Sequence, residues 1–229
     1  EPQPVADASV SNRRQSAAWD ARLARAFDLA AARPVARAPL EFLARLTAFQ
    51  QSLAAQHRSA DAAWPEYLKW LAANAPAPVA QTATHLTALP IDPDVGSAEA
   101  FIVEALLQVF PPHPCPYCTV PVVSLLREAG HGARRSQFCG VCLTESPAPR
   151  LGCTSCGEQR VEALPVFRSD DTEPARIDAC DTCHAYMKTI DLTRDGSACP
   201  IADDLATVSL DLWAREHGYH RVRPNLLRL

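Results

Sequence analysis

Residues 113–121 read HPCPYCTVP, and the Cys-x-x-Cys spacing inside them returns at Cys139/Cys142, Cys153/Cys156 and Cys180/Cys183. In a reducing compartment repeated pairs read as metal ligation before they read as disulfides, and the odd total of 9 cysteines agrees with that. A Cys-x-x-Cys turn aims two thiolates at one point, so two turns complete one tetrahedral site. Four pairs therefore make two sites.

The pairs also delimit an internal repeat. Cys115/Cys118 precedes TVPVVSLLR, a turn-rich EAGHGARR and then Cys139/Cys142; Cys153/Cys156 precedes EQRVEALPVF, a polar RSDDTEPAR and then Cys180/Cys183. Each unit reads as a β-hairpin with a knuckle at either end, close to the ribbon spacing expected of a Cys₄ site. The sequential grouping is Cys115, Cys118, Cys139 and Cys142 for one site and Cys153, Cys156, Cys180 and Cys183 for the other. An interleaved pairing of first with third satisfies the same counts. Each hairpin is too small to build a core alone, whereas a structural four-cysteine site contributes on the order of 10 kcal/mol to folding, so metal is expected to fold this half. With four cysteines per site, His113 and His184 are not needed as ligands, and Cys199 reads as a partly buried thiol. Gly157 follows Cys156, where a left-handed residue is often wanted; Thr119 holds the matching place after Cys118, and β-branched residues disfavour positive φ.

Upstream the texture differs. Residues 1–110 hold no cysteine and show apolar residues at helical spacing. One helix carries Trp19, Leu23, Ala26/Phe27 and Ala30 and stops at Pro34; a second carries Phe42/Leu43, Leu46, Phe49 and Leu53. A third is expected to begin at Trp64-Pro65 and run through Tyr67, Leu68 and Leu71, with a short one over 79–88. Ser97 is placed to cap a further helix with Glu99 in its first turn and Phe101/Ile102, Ala105/Leu106 and Val109 on its buried face. These stripes read as the core of a bundle, and residues 1–15, polar with two prolines, as disordered. After the second unit, Ile201, Leu205, Val208, Leu212 and Trp213 predict one helix ending at Gly218, with Asp203 and Asp204 as first-turn carboxylates.

Composition bounds the function. The chain of 229 residues has 48% hydrophobic and 21% charged residues and a formal charge of −4. No apolar run approaches the roughly 20 residues of a membrane span, so stable membrane insertion is not expected. The N-terminal stretch lacks the pattern of a secretory signal, which makes the cytoplasm the expected compartment. The acidic balance and scattered arginines (Arg134/Arg135, Arg221/Arg223/Arg228) argue against nucleic acid. There is no Gly-rich phosphate loop, no His-Glu-x-x-His and no Ser-His-Asp arrangement, so no enzymatic activity is expected. The fold class is multidomain α and β: an α-helical domain (1–110), two tandem Cys₄ modules (111–150 and 151–192) and a C-terminal helix and tail (193–229).

Several longer motifs carry a resemblance: CPYC with PVVSLLR, the knuckles FCGVC and GCTSC ten residues apart, ACDTCHAYMKTID, and ADDLATVSLDLWAREHGYHRVRPN. Over roughly residues 111–225 the chain resembles the formate dehydrogenase accessory protein family, FdhE, with weaker likeness in PLEFLARLTAFQQ and EALLQVF. The resemblance implies a cytoplasmic maturation factor that binds the catalytic subunit of a formate dehydrogenase. It implies rubredoxin-like modules with iron in the Cys₄ sites, although the ligand set suits zinc as well. It also draws attention to Asp203, Asp204, Tyr219 and Arg221 in the C-terminal segment as candidate partner-binding residues, Tyr219 and Arg221 being expected at the surface. The alternative is a rubredoxin-like redox or electron-transfer protein, since iron in four thiolates can change charge by one electron.

Overall fold

A computed structural model describes residues 8–89, 97–130 and 132–226. Five helices come first: α1 (Ala8–Ala32), α2 (Arg37–Ala54), α3 (Ala60–Asn74), α4 (Ala77–His85) and α5 (Ala98–Leu107). A short 3₁₀ turn at Pro34–Ala36 separates α1 from α2, as proline at that position requires. Ser97 caps α5 as its sequence predicts, its hydroxyl accepting from the Ala100 N–H at 3.0 Å.

Three local expectations change. The helix expected to begin at Trp64-Pro65 starts earlier, at Ala60, because the Ser59 side chain accepts from the Ala62 N–H. Pro65 therefore lies inside α3, where the buried face of Trp64, Tyr67, Leu68 and Leu71 outweighs the lost backbone bond. Phe27, assigned to the buried stripe of α1, is 57% exposed, whereas Ala26, Leu29 and Ala30 are buried. Residues 8–15, expected to be disordered, form the first turns of α1; residues 1–7 lie outside the described residues.

The second half is built on one sheet. β1 (Val123–Ala129) and β2 (Gly132–Phe138) form an antiparallel hairpin, and β3 (Glu145–Pro147) pairs with β2. β4 (Val166–Phe167) pairs antiparallel with β5 (Ala175–Ala179), and β6 (Ala185–Asp191) with β5. The repeat seen in the sequence is thus knuckle, hairpin, knuckle, strand, used twice. A parallel pairing of β1 with β6, from Ser124 opposite Thr189 to Leu126 opposite Asp191, fuses the two into a single sheet of order β3-β2-β1-β6-β5-β4. β6 is flanked on both edges, which explains why all seven of its residues are buried.

The predicted C-terminal helix is two helices, α6 (Pro200–Ala206) and α7 (Val208–Glu216), followed by β7 (His220–Arg221) against β6. The break at Thr207 has a cause in Lys188. Its ammonium donates to the main-chain oxygens of Asp204 at 2.7 Å and Thr207 at 3.2 Å, taking carbonyls that a continuous helix would use itself. Apolar residues from the helices, from β1, β5 and β6 and from α6 and α7 join in one buried cluster, so the helical half and the sheet share a core. No helix among the described residues is long and apolar enough to cross a membrane.

Candidate metal centres

Hairpin geometry assembles both cysteine clusters. β1 and β2 pair from Ala129 opposite Gly132 to Val123 opposite Phe138, and the Val123/Phe138 end brings Cys115/Cys118 and Cys139/Cys142 together. The β4–β5 hairpin does the same for Cys153/Cys156 and Cys180/Cys183. In each cluster all four Sγ atoms lie within 4.8 Å of one another, and the grouping is the sequential one. The close cross-knuckle Sγ–Sγ distances are 3.9 Å (Cys115–Cys139), 3.4 Å (Cys118–Cys142), 3.6 Å (Cys153–Cys183) and 3.7 Å (Cys156–Cys180). A regular tetrahedron with metal–sulfur bonds of about 2.3 Å has edges of about 3.8 Å. Both donor sets therefore fit a tetrahedral Zn²⁺ or iron ion without rearrangement of the chain.

Three of the four knuckles share one backbone design. The first cysteine's N–H donates to the carbonyl five residues on: Cys139 to Thr144 at 3.0 Å, Cys153 to Glu158 at 2.8 Å and Cys180 to Ala185 at 2.9 Å. Its own carbonyl accepts from the residue after the second cysteine: Leu143, Gly157 and His184. Those three residues have positive φ, +58°, +77° and +57°. The knuckle at Cys115 departs from the design. Thr119 is not left-handed; Pro116–Thr119 form a 3₁₀ turn closed by the Val120 N–H on the Tyr117 carbonyl at 3.2 Å. The β-branched side chain thus selects a different turn while the thiols still converge.

Side chains around the clusters tune the thiols. The Thr144 hydroxyl lies 2.9 Å from Cys142 Sγ. Burial opposes ionisation of Cys142, but hydrogen bonds from the Thr144 hydroxyl and N–H, with Cys118 and Cys139, hold its pKa down to about 7. Burial pushes Cys139 up to about 12 against the N–H groups of Cys142 and Val141. A bound cation would take the proton's place at both. In the second cluster Glu158 ties the two knuckles: it accepts from the Gln159 and Arg160 N–H groups and, at 2.7 Å, from the Thr182 hydroxyl. The sequence held a signal for these residues, since Thr144 and Glu158 each stand two places after the second cysteine of a knuckle.

The first cluster is also tied to the bundle. Gln108 donates to the carbonyl of Gly140, within the Cys139–Cys142 knuckle, at 2.7 Å. Its Oε1 accepts from the buried guanidinium of Arg22 at 2.9 Å, and Arg22 also donates to Thr47 at 2.9 Å and to Gln50.

The candidate partner residues separate. Asp203 is buried, forms an ion pair with Arg25 at 2.6 Å and accepts from the Cys199 N–H at 2.7 Å, which is the capping role its position predicts. Asp204 is buried between Lys188 (2.8 Å) and Arg221 (2.7 Å). Burial would raise its carboxyl, but the two cations outweigh that and hold it below the ordinary carboxylate range. Arg221 is not a surface residue: its side chain is 8% exposed because it is drawn inward to Asp204 and to Asp211 at 2.9 Å. Tyr219 is half-buried, and its hydroxyl donates to Asp181 inside the Cys180–Cys183 knuckle at 2.6 Å. Its ring lies 6.1 Å from that of His184. Of the four, Tyr219 sits directly against a thiol cluster. Cys199 is half-buried, as expected.

Comparison with known proteins identifies similar chains. Residues 151–228 match the family model described as FdhE, C-terminal domain. The chain is 40% identical over 116 residues to a protein FdhE homolog of Aquifex aeolicus, covering 49% of this chain and 41% of that protein. It is 38% identical over 117 residues to one of Shewanella oneidensis, covering 49% and 38%. The matched part thus spans about two fifths of those relatives' own length. A crystal structure of the FdhE protein from Pseudomonas aeruginosa superposes with a TM-score of 0.69 over 91% of this chain and 94% of that one, at 22% identity, which shows a shared fold. Residues 151–228 are thus similar to the FdhE C-terminal domain, and the chain shares the fold of the FdhE crystal structure.

Proposed function

We propose that this chain is an accessory protein for the maturation of formate dehydrogenase, acting in the cytoplasm by binding the enzyme's catalytic subunit rather than by catalysis. The observation that carries this reading is the FdhE C-terminal domain match over residues 151–228, which contains one complete thiol cluster and the segment that packs on it. Each cluster holds one metal ion, iron by the family resemblance, with zinc compatible with the same ligands. The eight cysteines act as ligands and the metals stiffen the scaffold. Along the chain the units are the helical domain (1–110), the two ribbons (111–150 and 151–192) and the C-terminal segment (193–229). Part of the client surface lies around Tyr219, where the C-terminal segment meets the second knuckle.

The test is capture of proteins from native cytosol prepared without oxygen, with mass spectrometry of what is bound. Recovery of a formate dehydrogenase catalytic subunit by the wild-type chain, weakened by Tyr219→Ala with metal content unchanged, is the expected result. If the metal-loaded chain captures no such subunit, the maturation reading fails. A reversible one-electron reduction in the physiological range would then favour electron transfer.

A further inference from the structure

The sheet has two unlike faces. One packs Ile177, Tyr186 and Ile190 into the core, while the other carries Arg135, Arg176, Asp178 and Thr189. Over this polar face lies a cavity of about 110 Å³, bordered by the link between the two ribbons at Arg150–Thr154. Arg135, Arg150 and Arg176 line it against a single lining carboxylate, Asp178.

That carboxylate is already committed. Asp178 accepts from Arg176 Nε at 2.8 Å and from the Thr189 hydroxyl at 2.7 Å, leaving Arg135 Nη2 at 3.5 Å. Arg135 is 7% exposed; its Nη1 donates to the Gly152 carbonyl at 3.1 Å, but its Nε is buried with no partner. Arg150 has no hydrogen bond or ion pair among the described residues. The Thr154 hydroxyl accepts from Gln137 at 2.9 Å, which leaves its proton free to donate. A buried charged donor without an acceptor is costly, and native structures keep one where water or an ion takes the bond. The cavity has room for roughly three or four waters at about 30 Å³ each, which is the size of a tetrahedral anion. The planar forks of arginine suit such a ligand.

We propose that this cavity binds a small inorganic oxyanion of phosphate or sulfate size, held by Arg135 and Arg150 with the Thr154 hydroxyl. The arginines have one competing role, because Cys153 and Cys180 also border the cavity and their thiolates would carry negative charge around a metal. The experiment separates the two. The metal-loaded chain is titrated with inorganic phosphate at constant ionic strength, chloride being replaced, and calorimetry and the thermal midpoint are followed alongside metal content. Phosphate is expected to bind and to raise the midpoint above the chloride control. Arg150→Ala, at the exposed rim, is expected to fold normally, keep both metals and bind phosphate roughly tenfold more weakly or worse; Arg135→Gln is expected to weaken binding further. No phosphate effect beyond chloride would overturn the proposal, as would equal binding by both variants. Loss of metal from Arg150→Ala with phosphate binding intact would also overturn it, and would make the arginines counter-charges to the thiolates. If Arg135→Gln fails to fold, Arg150→Ala decides alone.

Discussion

Lys188→Met places the sharpest demand on the C-terminal architecture. Lys188 is fully buried, and its ammonium lies 2.8 Å from Asp204 Oδ1, 2.6 Å from Asp211 Oδ2 and 2.7 Å from the Asp204 carbonyl. With Arg221 the cluster holds two cations and two carboxylates, so it is neutral as built. Methionine fills much the same volume but leaves a buried net charge of −1 and strips the Asp204 and Thr207 carbonyls of a donor. Breaking a buried pair by removing one partner costs about 3–5 kcal/mol, against a total stability for domains of about 5–15 kcal/mol. The sign of the pH effect follows from Asp204. In the wild type its folded pKa is depressed, so its contribution is present above the unfolded carboxylate value and is lost as pH falls through the folded one. In the variant Arg221 alone, shared with Asp211, opposes burial, so Asp204 ionises less readily than in the wild type and the penalty grows as pH rises above about 4. Chemical denaturation of both proteins between pH 5 and pH 8 measures this. A loss of at least about 3 kcal/mol at pH 8 that shrinks towards pH 5 is expected; a loss under about 1 kcal/mol, flat with pH, would refute the reasoning.

Other perturbations probe the clusters and their supports. Cys153→Ser is expected to release the metal of the second cluster while the first stays loaded, read by metal analysis and by faster amide exchange in β4 and β5. Gly140→Ala would place a methyl group 3.1 Å from Val122 Cγ1 and 3.3 Å from its Cβ, both in a buried side chain, and is expected to cost about 1–3 kcal/mol in denaturation. Gln108→Leu removes both the acceptor for buried Arg22 and the donor to Gly140, and is expected to cost about 2 kcal/mol and to speed metal loss to a chelator from the first cluster.

The cysteine spacing made both clusters and both hairpins legible, because a knuckle is local and its chemistry lies in four adjacent residues. Ser97 and Gly157 were legible for the same reason. What escaped was long-range. The parallel joining of β1 to β6 leaves no mark in either strand's own sequence beyond its apolar character. The break at Thr207 depends on Lys188, 19 residues away. Arg221 reads as a surface cation until Asp204 and Asp211 are seen beside it, and charge in a sequence says nothing of the partner that buries it.

Both Cys₄ clusters are proposed to hold metal, and one measurement addresses that directly: metal content per chain on anaerobically purified protein, with thiol titration before and after denaturation. Two ions per chain are expected, with at most one thiol, Cys199, reacting in the folded state and nine after unfolding with a chelator. Metal-free protein that keeps its cooperative fold while the eight knuckle thiols react freely would contradict it.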